Sequence, residues 1–315
     1  MLDCTDRHFR VLMRQISQRA LLYTEMVVAQ ALHHNERRDR LLDFDPIEHP
    51  LSLQVGGDDP KLLAEAARLA DAWGYDEINL NVGCPSSKVK AGNFGACLMA
   101  KPKLLARCIE AMTRASPLPV TVKHRIGIDD LDNDDLLLTF VDQLAAAGAQ
   151  RFAIHARKAY LEGLDPKQNR SIPPLQHDRV AKLKQQRPTL TIELNGGLHT
   201  PKDCLNALTI CDGAMVGRAA YKHPLRWQSI DSEIYGEISR QIKASTVVNR
   251  LIPYAEKHLS NGGRLWNICR HLVQLVEGVP GARRWRHYLG TNAQQKKADL
   301  SVMEEAARQL KDAGL

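Results

Sequence analysis

The stretch LSLQVGGDDPKLLAEAARLADAWGYDEINLNVGC (residues 51–84) contains two short apolar runs separated by a segment with helical periodicity. The runs 51–57 and 77–84 are almost continuously apolar, as expected for strands buried on both faces of a parallel sheet. Between them, Asp59 can cap a helix and Pro60 can occupy its first position. The stretch therefore predicts a strand–helix–strand unit with parallel strands.

The same alternation of apolar runs and helical segments continues to residue 218 and supplies seven candidate strands. They lie at residues 20–26, 51–57, 77–84, 119–127, 151–157, 190–197 and 212–218. Regular alternation predicts an α/β fold, the TIM (β/α)8 barrel, which needs eight strands. Because the chain opens on a polar stretch, MLDCTD, we expect the first strand to be truncated or missing. An open doubly wound sheet is the alternative, since alternation alone does not decide closure.

The strand pattern stops after residue 235, and three amphipathic helical segments follow. They lie at residues 234–259, 263–279 and 299–314. Their apolar residues recur at helical spacing and indicate a small all-helical part. The sequence therefore predicts a barrel domain over 1–235 and a helical domain over 236–315.

The net positive charge of the chain comes entirely from its C-terminal part. The formal net charge is +7, and residues 240–315 hold 13 Lys and Arg against 6 Asp and Glu, whereas the preceding 239 residues hold 30 of each. A neutral body joined to a basic tail indicates a polyanionic substrate held outside the reaction centre. A solvated basic face is the alternative.

Composition argues against a membrane, secreted or metal-binding protein. No uncharged run reaches the roughly 18 residues that a membrane span needs, and the first ten residues, MLDCTDRHFR, lack an apolar signal core. The seven cysteines form no CxxC pair, which disfavours a disulfide framework or a zinc site. We therefore expect a cytoplasmic protein without a bound metal.

Polar residues follow six of the predicted strands, at the end where TIM barrels carry chemistry. They are Gln54; Asn81 and Cys84; Lys123, His124 and Arg125; His155 and Arg157; Asn195, Gly196 and Gly197; and Gly217 and Arg218. A single polar residue at a strand end is commonly only a satisfied hydrogen-bonding group. Six polar strand ends that converge on one rim predict a functional site.

Glycines after the last two predicted strands indicate a phosphorylated ligand. The sequences Asn195-Gly196-Gly197 and Gly217-Arg218 allow backbone N–H groups to approach an anion, and Arg218 can bind phosphate oxygens with two donors. The GxGxxG dinucleotide fingerprint does not occur, which favours flavin mononucleotide (FMN) over a nicotinamide cofactor bound in a Rossmann fold. Lys123 would then lie beside the flavin ring and Gln54 at its edge.

Five motifs resemble those of the tRNA-dihydrouridine synthase family. They are NxNxGCP (79–85), KxRxG (123–127), HAR (155–157), NGG (195–197) and GR (217–218). The resemblance covers essentially the whole chain, and residues 155–175 resemble the bacterial A-type subgroup, which acts on uridines 20 and 20a of the tRNA D-loop. It implies an FMN barrel with NADPH as reductant, tRNA as substrate, and Met1 and Leu2 among the flavin contacts; we also expect a monomer. The chain departs from the family at its start, where the usual strand and Ala-Pro pair are absent.

Cys84 is the candidate catalytic residue. Reduction of the uracil C5=C6 bond adds a hydride at C6 and a proton at C5, and a thiol with a reference pKa of about 8.5 remains protonated at neutral pH to supply that proton. The resemblance assigns this role to Cys84, and it assigns to Asn81 a hydrogen bond to the uridine extruded from the tRNA. Gly92 and Gly95 are candidate hinges of the Cys84 loop. A buried, inert Cys84 is the alternative, and Cys97 is interpreted as structural.

Four basic residues are predicted to hold the tRNA outside the pocket. The resemblance assigns this role to two pairs, Lys167 with Arg170 and Arg283 with Arg286. The second pair flanks Trp285. Trp285 itself is either an RNA contact or a core residue. Two other functions remain open at this stage: an FMN enzyme that reduces a small pyrimidine or enone, and an RNA-binding module without chemistry.

Overall fold

The computed structural model describes residues 1–315, apart from the side chain of Lys88. A parallel sheet occupies the centre, and its strands are β1 (Leu22–Tyr23), β2 (Val27–Val28), β3 (Leu51–Gly56), β4 (Glu77–Val82), β5 (Val120–Arg125), β6 (Arg151–His155), β7 (Thr191–Asn195) and β8 (Gly213–Met215). The inner strands are nearly free of solvent contact, as their apolar runs predict.

The strand order follows the order of the chain. β1 and β2 both pair with β3, and each later strand pairs in parallel with the strand before it, up to β8. A doubly wound sheet would instead reverse direction at a switch point. Within the described residues no pairing joins β8 to β1 or β2, so the curled sheet has seven strand positions and is open at the eighth. This agrees with the expectation of a barrel that lacks its first strand.

Helices cover the outside of the sheet and form the C-terminal part. Around the sheet lie α1 (Arg7–Arg14), α2 (Ala29–His34), α3 (Asp39–Leu42), α4 (Pro60–Trp73), α5 (Ser87–Ala91), α6 (Pro102–Ala115), α7 (Asp134–Ala146), α8 (His177–Gln186), α9 (Pro201–Leu208), α10 (Arg218–Lys222) and α11 (Ile230–Tyr235). The C-terminal helices are α12 (Ala244–Ser260), α13 (Trp266–Leu272), α14 (Ala282–Asn292) and α15 (Ser301–Asp312). In the part of the chain that the structure describes, no helix is long and apolar enough to cross a membrane.

The helix start predicted from the sequence at Asp59 is confirmed, and α9 begins in a similar way. Asp59 caps α4 by accepting hydrogen bonds from the backbone N–H groups of Lys61 and Leu62. Thr200 and Asp203 form the reciprocal capping box of α9. These local patterns set where the two helices leave the sheet.

Three segments predicted from the sequence differ in the structure. The strand expected over 20–26 divides into β1 and β2, because the Thr24 hydroxyl between them accepts the Gln54 N–H at 3.0 Å. The helix expected over 234–259 ends at Tyr235, where Gly236 adopts a left-handed conformation (φ 71°), and helix resumes at Ala244. The helix expected over 263–279 is shorter, at Trp266–Leu272.

The C-terminal helices are joined to the barrel through its first helix. α1 packs against α12 and α13, and the Asp6 carboxylate that caps α1 also pairs with Arg270 on α13. Trp285 of α14 is buried, and its indole N–H donates to the Ala306 carbonyl of α15 at 2.9 Å. Trp285 is therefore a core residue, and the alternative of an RNA contact is wrong for this side chain.

Candidate active site

The register of the sheet brings the predicted polar residues to one rim, the carboxyl ends of the strands. Asn81 of β4 lies opposite Lys123 of β5, and His155 of β6 lies opposite Asn195 of β7. Gln54 of β3 reaches the same group, because its amide oxygen accepts a hydrogen bond from Asn81 Nδ2 at 2.8 Å. Residues more than 140 positions apart in sequence therefore share one cavity mouth.

Positive charge is concentrated inside this rim. Burial and the nearby Arg125 guanidinium together lower the pKa of Lys123 to about 8. Burial and the charges of Arg125 and Lys123 lower the pKa of His155 to about 2, so its imidazole is neutral at physiological pH. His155 Nδ1 is buried and has no hydrogen-bond partner among the described atoms. The rim therefore offers cations and one unsatisfied ring nitrogen to an anionic ligand.

A glycine cradle lies beside His155. Gly196 and Gly197 have φ values of +102° and +76°, which favour glycine, and a Cβ on Gly196 would lie 3.1 Å from His155 Nε2. Asn195 holds the next strand by donating from Nδ2 to the Met215 carbonyl at 2.6 Å. A Cβ on Gly217 would lie 3.4 Å from Met1 Sδ, which places Met1 at the same rim.

Three arginines extend the positive charge towards solvent. The Arg218 Nη2 donates to the Arg170 carbonyl at 3.4 Å, and burial together with the Arg170 and Arg157 charges lowers the pKa of Arg218. The sequence assigned Arg218 to a phosphate and Arg170 to RNA, yet the structure places them side by side. Residues predicted to bind two different ligands are therefore neighbours on one basic surface.

Cys84 lies half-buried at the end of β4, in a loop held at several points. The backbone N–H groups of Gly83 and Cys84 both donate to Asn81 Oδ1 at 3.1 Å, and Arg125 Nε donates to the Gly83 carbonyl at 3.0 Å. Cys84 Sγ lies 3.6 Å from Ser86 Oγ. The Cys84 thiol is therefore half-buried at the rim rather than enclosed in the core.

Gly95 supports the Cys84 loop through close packing. The Cys84 carbonyl accepts the Ala96 N–H at 2.9 Å, and a Cβ on Gly95 would lie only 2.5 Å from that carbonyl oxygen. Gly92 packs in the same way against the Phe94 ring. These glycines, predicted as hinges, allow close approach of the chain to its neighbours.

Replacing Gly95 with alanine is expected to lower the free energy of unfolding by about 2–4 kcal/mol, because the new Cβ would be strained at φ +75° and would contact backbone. Gly236→Ala is the matched control, since Gly236 has a similar φ (+71°) and nothing within 4 Å of the built Cβ. It isolates the conformational strain, about 1 kcal/mol. Chemical denaturation measures both, and equal losses would show that the contact with Cys84 is relieved without cost.

The family of the chain follows from comparison with known proteins. The model of the family described as "Dihydrouridine synthase (Dus)" matches residues 1–312. The chain belongs to this family. It is accordingly a flavin-dependent oxidoreductase.

Curated relatives match along nearly the whole chain of this dihydrouridine synthase. A Synechocystis sp. protein is 49% identical over 100% of the chain and 94% of its own length. Proteins of Shewanella oneidensis (48% identical, 97% of the chain, 91% of the relative) and Escherichia coli K12 (47%, 99% and 90%) are similar. All three are named tRNA-dihydrouridine(20/20a) synthase. A solved structure, morphinone reductase in complex with tetrahydroNAD, matches with a TM-score of 0.50 at 9% identity over 78% of this chain and 85% of that one, which supports the barrel fold.

The residues present fit a flavin. The unsatisfied His155 Nδ1, the cations Lys123 and Arg125, and the Gly196–Gly197 cradle are what a phosphorylated, electron-accepting ring system requires. Leu2, also predicted as a flavin contact, has a side chain that is 62% exposed.

The other predicted RNA contacts lie outside the rim. Lys167 is exposed immediately before a short 3-10 helix (Gln168–Arg170), and Arg170 at its end is half-buried. Arg283 is exposed and Arg286 half-buried on α14, which packs on α13 and α15. Among the described residues, no group of His, Cys, Asp and Glu could hold a metal ion.

Two residues that contact the predicted site residues, Asn79 and Ser86, were not identified from the sequence. Asn79 contacts Gln54, and Ser86 contacts Cys84. Asn79 is fully buried inside the barrel, two positions before Asn81, and its amide bonds Gln54 and Thr121. The NxN spacing was the available signal, because residues two apart on a strand face the same side.

Proposed function

We propose that this chain reduces uridines 20 and 20a in the D-loop of tRNA to 5,6-dihydrouridine, with FMN as cofactor and NADPH as electron donor. The names of relatives that are 47–49% identical over almost the whole chain support the substrate. The observation that carries the chemistry is the half-buried Cys84 on the rim, close enough to Lys123 for the two side chains to interact electrostatically.

Cys84 supplies the proton in this proposal. When bound, reduced FMN supplies a hydride to C6 of the uracil ring, and NADPH restores the reduced cofactor. Cys84 Sγ donates its proton to C5 and regains it from solvent, so the uracil C5=C6 bond becomes a single bond. The neighbouring Lys123 cation stabilises negative charge that develops in the site.

Ten residues would hold the cofactor, and five would hold the tRNA. The proposed FMN contacts are Met1, Leu2, Gln54, Lys123, His155, Asn195, Gly196, Gly197, Gly217 and Arg218. The proposed tRNA contacts are Asn81, Lys167, Arg170, Arg283 and Arg286. The contact between Arg170 and Arg218 supports an arrangement in which RNA phosphates pass close to the cofactor phosphate.

The remaining features are proposals about organisation. We propose a division between a catalytic part (1–235) and a tRNA-binding helical part (236–315), a monomer in solution, and a cytoplasmic location. The irregular segment after Gly236, between α11 and α12, supports the division.

Mapping dihydrouridine in tRNA tests the function directly. Cells that lack the gene are expected to lose dihydrouridine at D-loop positions 20 and 20a, and purified enzyme with NADPH is expected to restore it. Equally efficient reduction of free uridine would instead favour the small-molecule enzyme, and loss at other tRNA positions would contradict the assigned site.

The affinity of the apoprotein for FMN is expected to fall about tenfold between pH 7 and pH 9. With its pKa lowered to about 8, Lys123 is charged below that pH and neutral above it, and only the charged form attracts the anionic cofactor. Fluorescence titration measures the affinity, and Lys123→Met is expected to bind more weakly without this pH dependence. An unchanged pH profile in Lys123→Met would remove Lys123 from the interaction.

A further inference from the structure

Five polar side chains form one hydrogen-bonded row inside the barrel, from the amino-terminal end of β4 to the Cys84 loop. In order they are Glu77, Thr121, Asn79, Gln54 and Asn81. Thr121 Oγ1 donates to Glu77 Oε1 at 2.8 Å, and Asn79 Nδ2 donates to Thr121 Oγ1 at 2.8 Å. Gln54 Nε2 donates to Asn79 Oδ1 at 2.9 Å. The row ends where Asn81 Oδ1 accepts the backbone N–H groups of Gly83 and Cys84.

The two ends of the row fix its direction. At one end, Glu77 pairs with Arg151 and accepts hydrogen bonds. At the other end, backbone N–H groups can only donate. Each hydroxyl or amide between them then has one orientation, because a flip anywhere in the row would place two donors or two acceptors together. A row in which each side chain is hydrogen-bonded to the next holds its members rigidly.

This direction decides what Asn81 can offer to a ligand. Its carbonyl oxygen already accepts two N–H groups, and one of its two amide hydrogens is donated to Gln54. The remaining group is a single N–H donor. Asn81 can therefore contact a ring carbonyl oxygen of uracil but cannot accept a hydrogen bond from the ring N–H.

We propose that Thr121 and Asn79 are positioning residues for uridine reduction. They touch neither cofactor nor substrate; they orient the amides of Gln54 and Asn81, and through Asn81 they hold the backbone of Cys84. Thr121 is the residue that determines the orientation, since its only hydrogen is committed to Glu77 and its oxygen must accept from Asn79. The inference rests on the proposed function for its link to catalysis, whereas the ordering of the Cys84 backbone is independent of it.

The test removes one of the three hydroxyl groups, on Tyr23, Ser52 and Thr121, that donate to the same carboxylate oxygen of Glu77. Thr121→Val deletes the hydroxyl inside the row at nearly constant volume. Ser52→Ala is the matched control, because the fully buried Ser52 hydroxyl also donates to Glu77 Oε1 at 2.8 Å but is bonded to none of the amides in the row. Thr121→Ser retains the hydroxyl and should behave like wild type in both readouts. Thr121→Ala, which removes the same hydroxyl, serves if the valine variant does not fold.

The first readout is amide hydrogen exchange in the flavin-loaded enzyme. Thr121→Val is expected to speed exchange of the Gly83 and Cys84 amides about tenfold, with Ser52→Ala and Thr121→Ser within about twofold of wild type. A merely structural effect of losing a buried hydroxyl would appear equally in Thr121→Val and Ser52→Ala. Equal exchange in these two variants would overturn the proposal.

The second readout separates turnover from substrate capture. Thr121→Val is expected to lower kcat on tRNA about tenfold with KM for tRNA unchanged, because the basic residues that hold the tRNA lie elsewhere. A change in KM alone, or equal kcat in Thr121→Val and Ser52→Ala, would contradict the proposal. If wild type itself left tRNA uridines unreduced, the proposed function would fail, and the exchange experiment would still decide the role of the row.

Discussion

Cys84→Ala is expected to slow uridine reduction by at least about 10²-fold, the scale of a lost general acid. The loss should fall on one half of the catalytic cycle. Reduction of the flavin by NADPH does not require the thiol and should remain near the wild-type rate, whereas reoxidation of the reduced enzyme by tRNA should become slow. Stopped-flow absorbance of the flavin measures the two halves separately.

Cys97→Ala is the control for this change. Cys97 is half-buried in the same loop region, and its thiol only contacts the Phe94 carbonyl at 3.2 Å. This variant is expected to reoxidise with tRNA within about twofold of wild type, because Cys97 has no role in the proposed proton transfer. Wild-type reoxidation in Cys84→Ala would remove Cys84 from the mechanism, and equal slowing in both variants would indicate a general disturbance of the loop.

Replacing both Arg283 and Arg286 with alanine is expected to weaken tRNA binding about 30-fold at low salt. Each arginine can contact a phosphate from α14, and loss of two contacts should also reduce the slope of log affinity against log salt by about 1.5, because fewer counterions are released. Flavin content should remain unchanged, since both residues lie on a helix that packs on α13 and α15. Filter binding over a series of salt concentrations measures both quantities.

A charge-matched variant distinguishes specific contacts from bulk charge. Lys296 and Lys297 are exposed in the same part of the chain, and their replacement by alanine removes the same two charges. We expect a smaller loss of affinity in this variant. Equal losses in the two double variants would mean that α14 contributes only to a diffuse positive field.

The strands could be predicted from the sequence because inner strands of this sheet are apolar on both faces, and the polar residues that follow them mark the rim. The break between β1 and β2 could not be predicted from the sequence. It depends on the Thr24 hydroxyl accepting a hydrogen bond from the backbone N–H of Gln54, 30 residues later in the chain. Cross-strand register was equally hidden. A shift of one residue would turn Asn79 and Asn81 to the opposite face, so the row that joins them to Gln54 exists only in the folded sheet.

The helix predicted over 234–259 runs through Gly236, because the spacing of apolar residues does not reveal where the backbone must turn. The left-handed conformation at Gly236 ends α11, and no pattern of the flanking residues requires it. In the site, the sequence identified Arg170 and Arg218 separately. Their proximity results from the loop after β6 folding back over the rim, which brings Pro173 to the Arg157 guanidinium.

The attachment of α1 to both α12 and α13, with Asp6 pairing to Arg270, has a consequence for how the enzyme would select a uridine. A flexible tether would let a tRNA held on α14 present several neighbouring nucleotides to the rim in turn. Packed helices and one continuous apolar core instead set a fixed distance between α14 and Cys84. The enzyme would then select a uridine by distance. The uridine reduced would be the one whose separation from the tRNA segment bound to α14 equals the distance between α14 and Cys84.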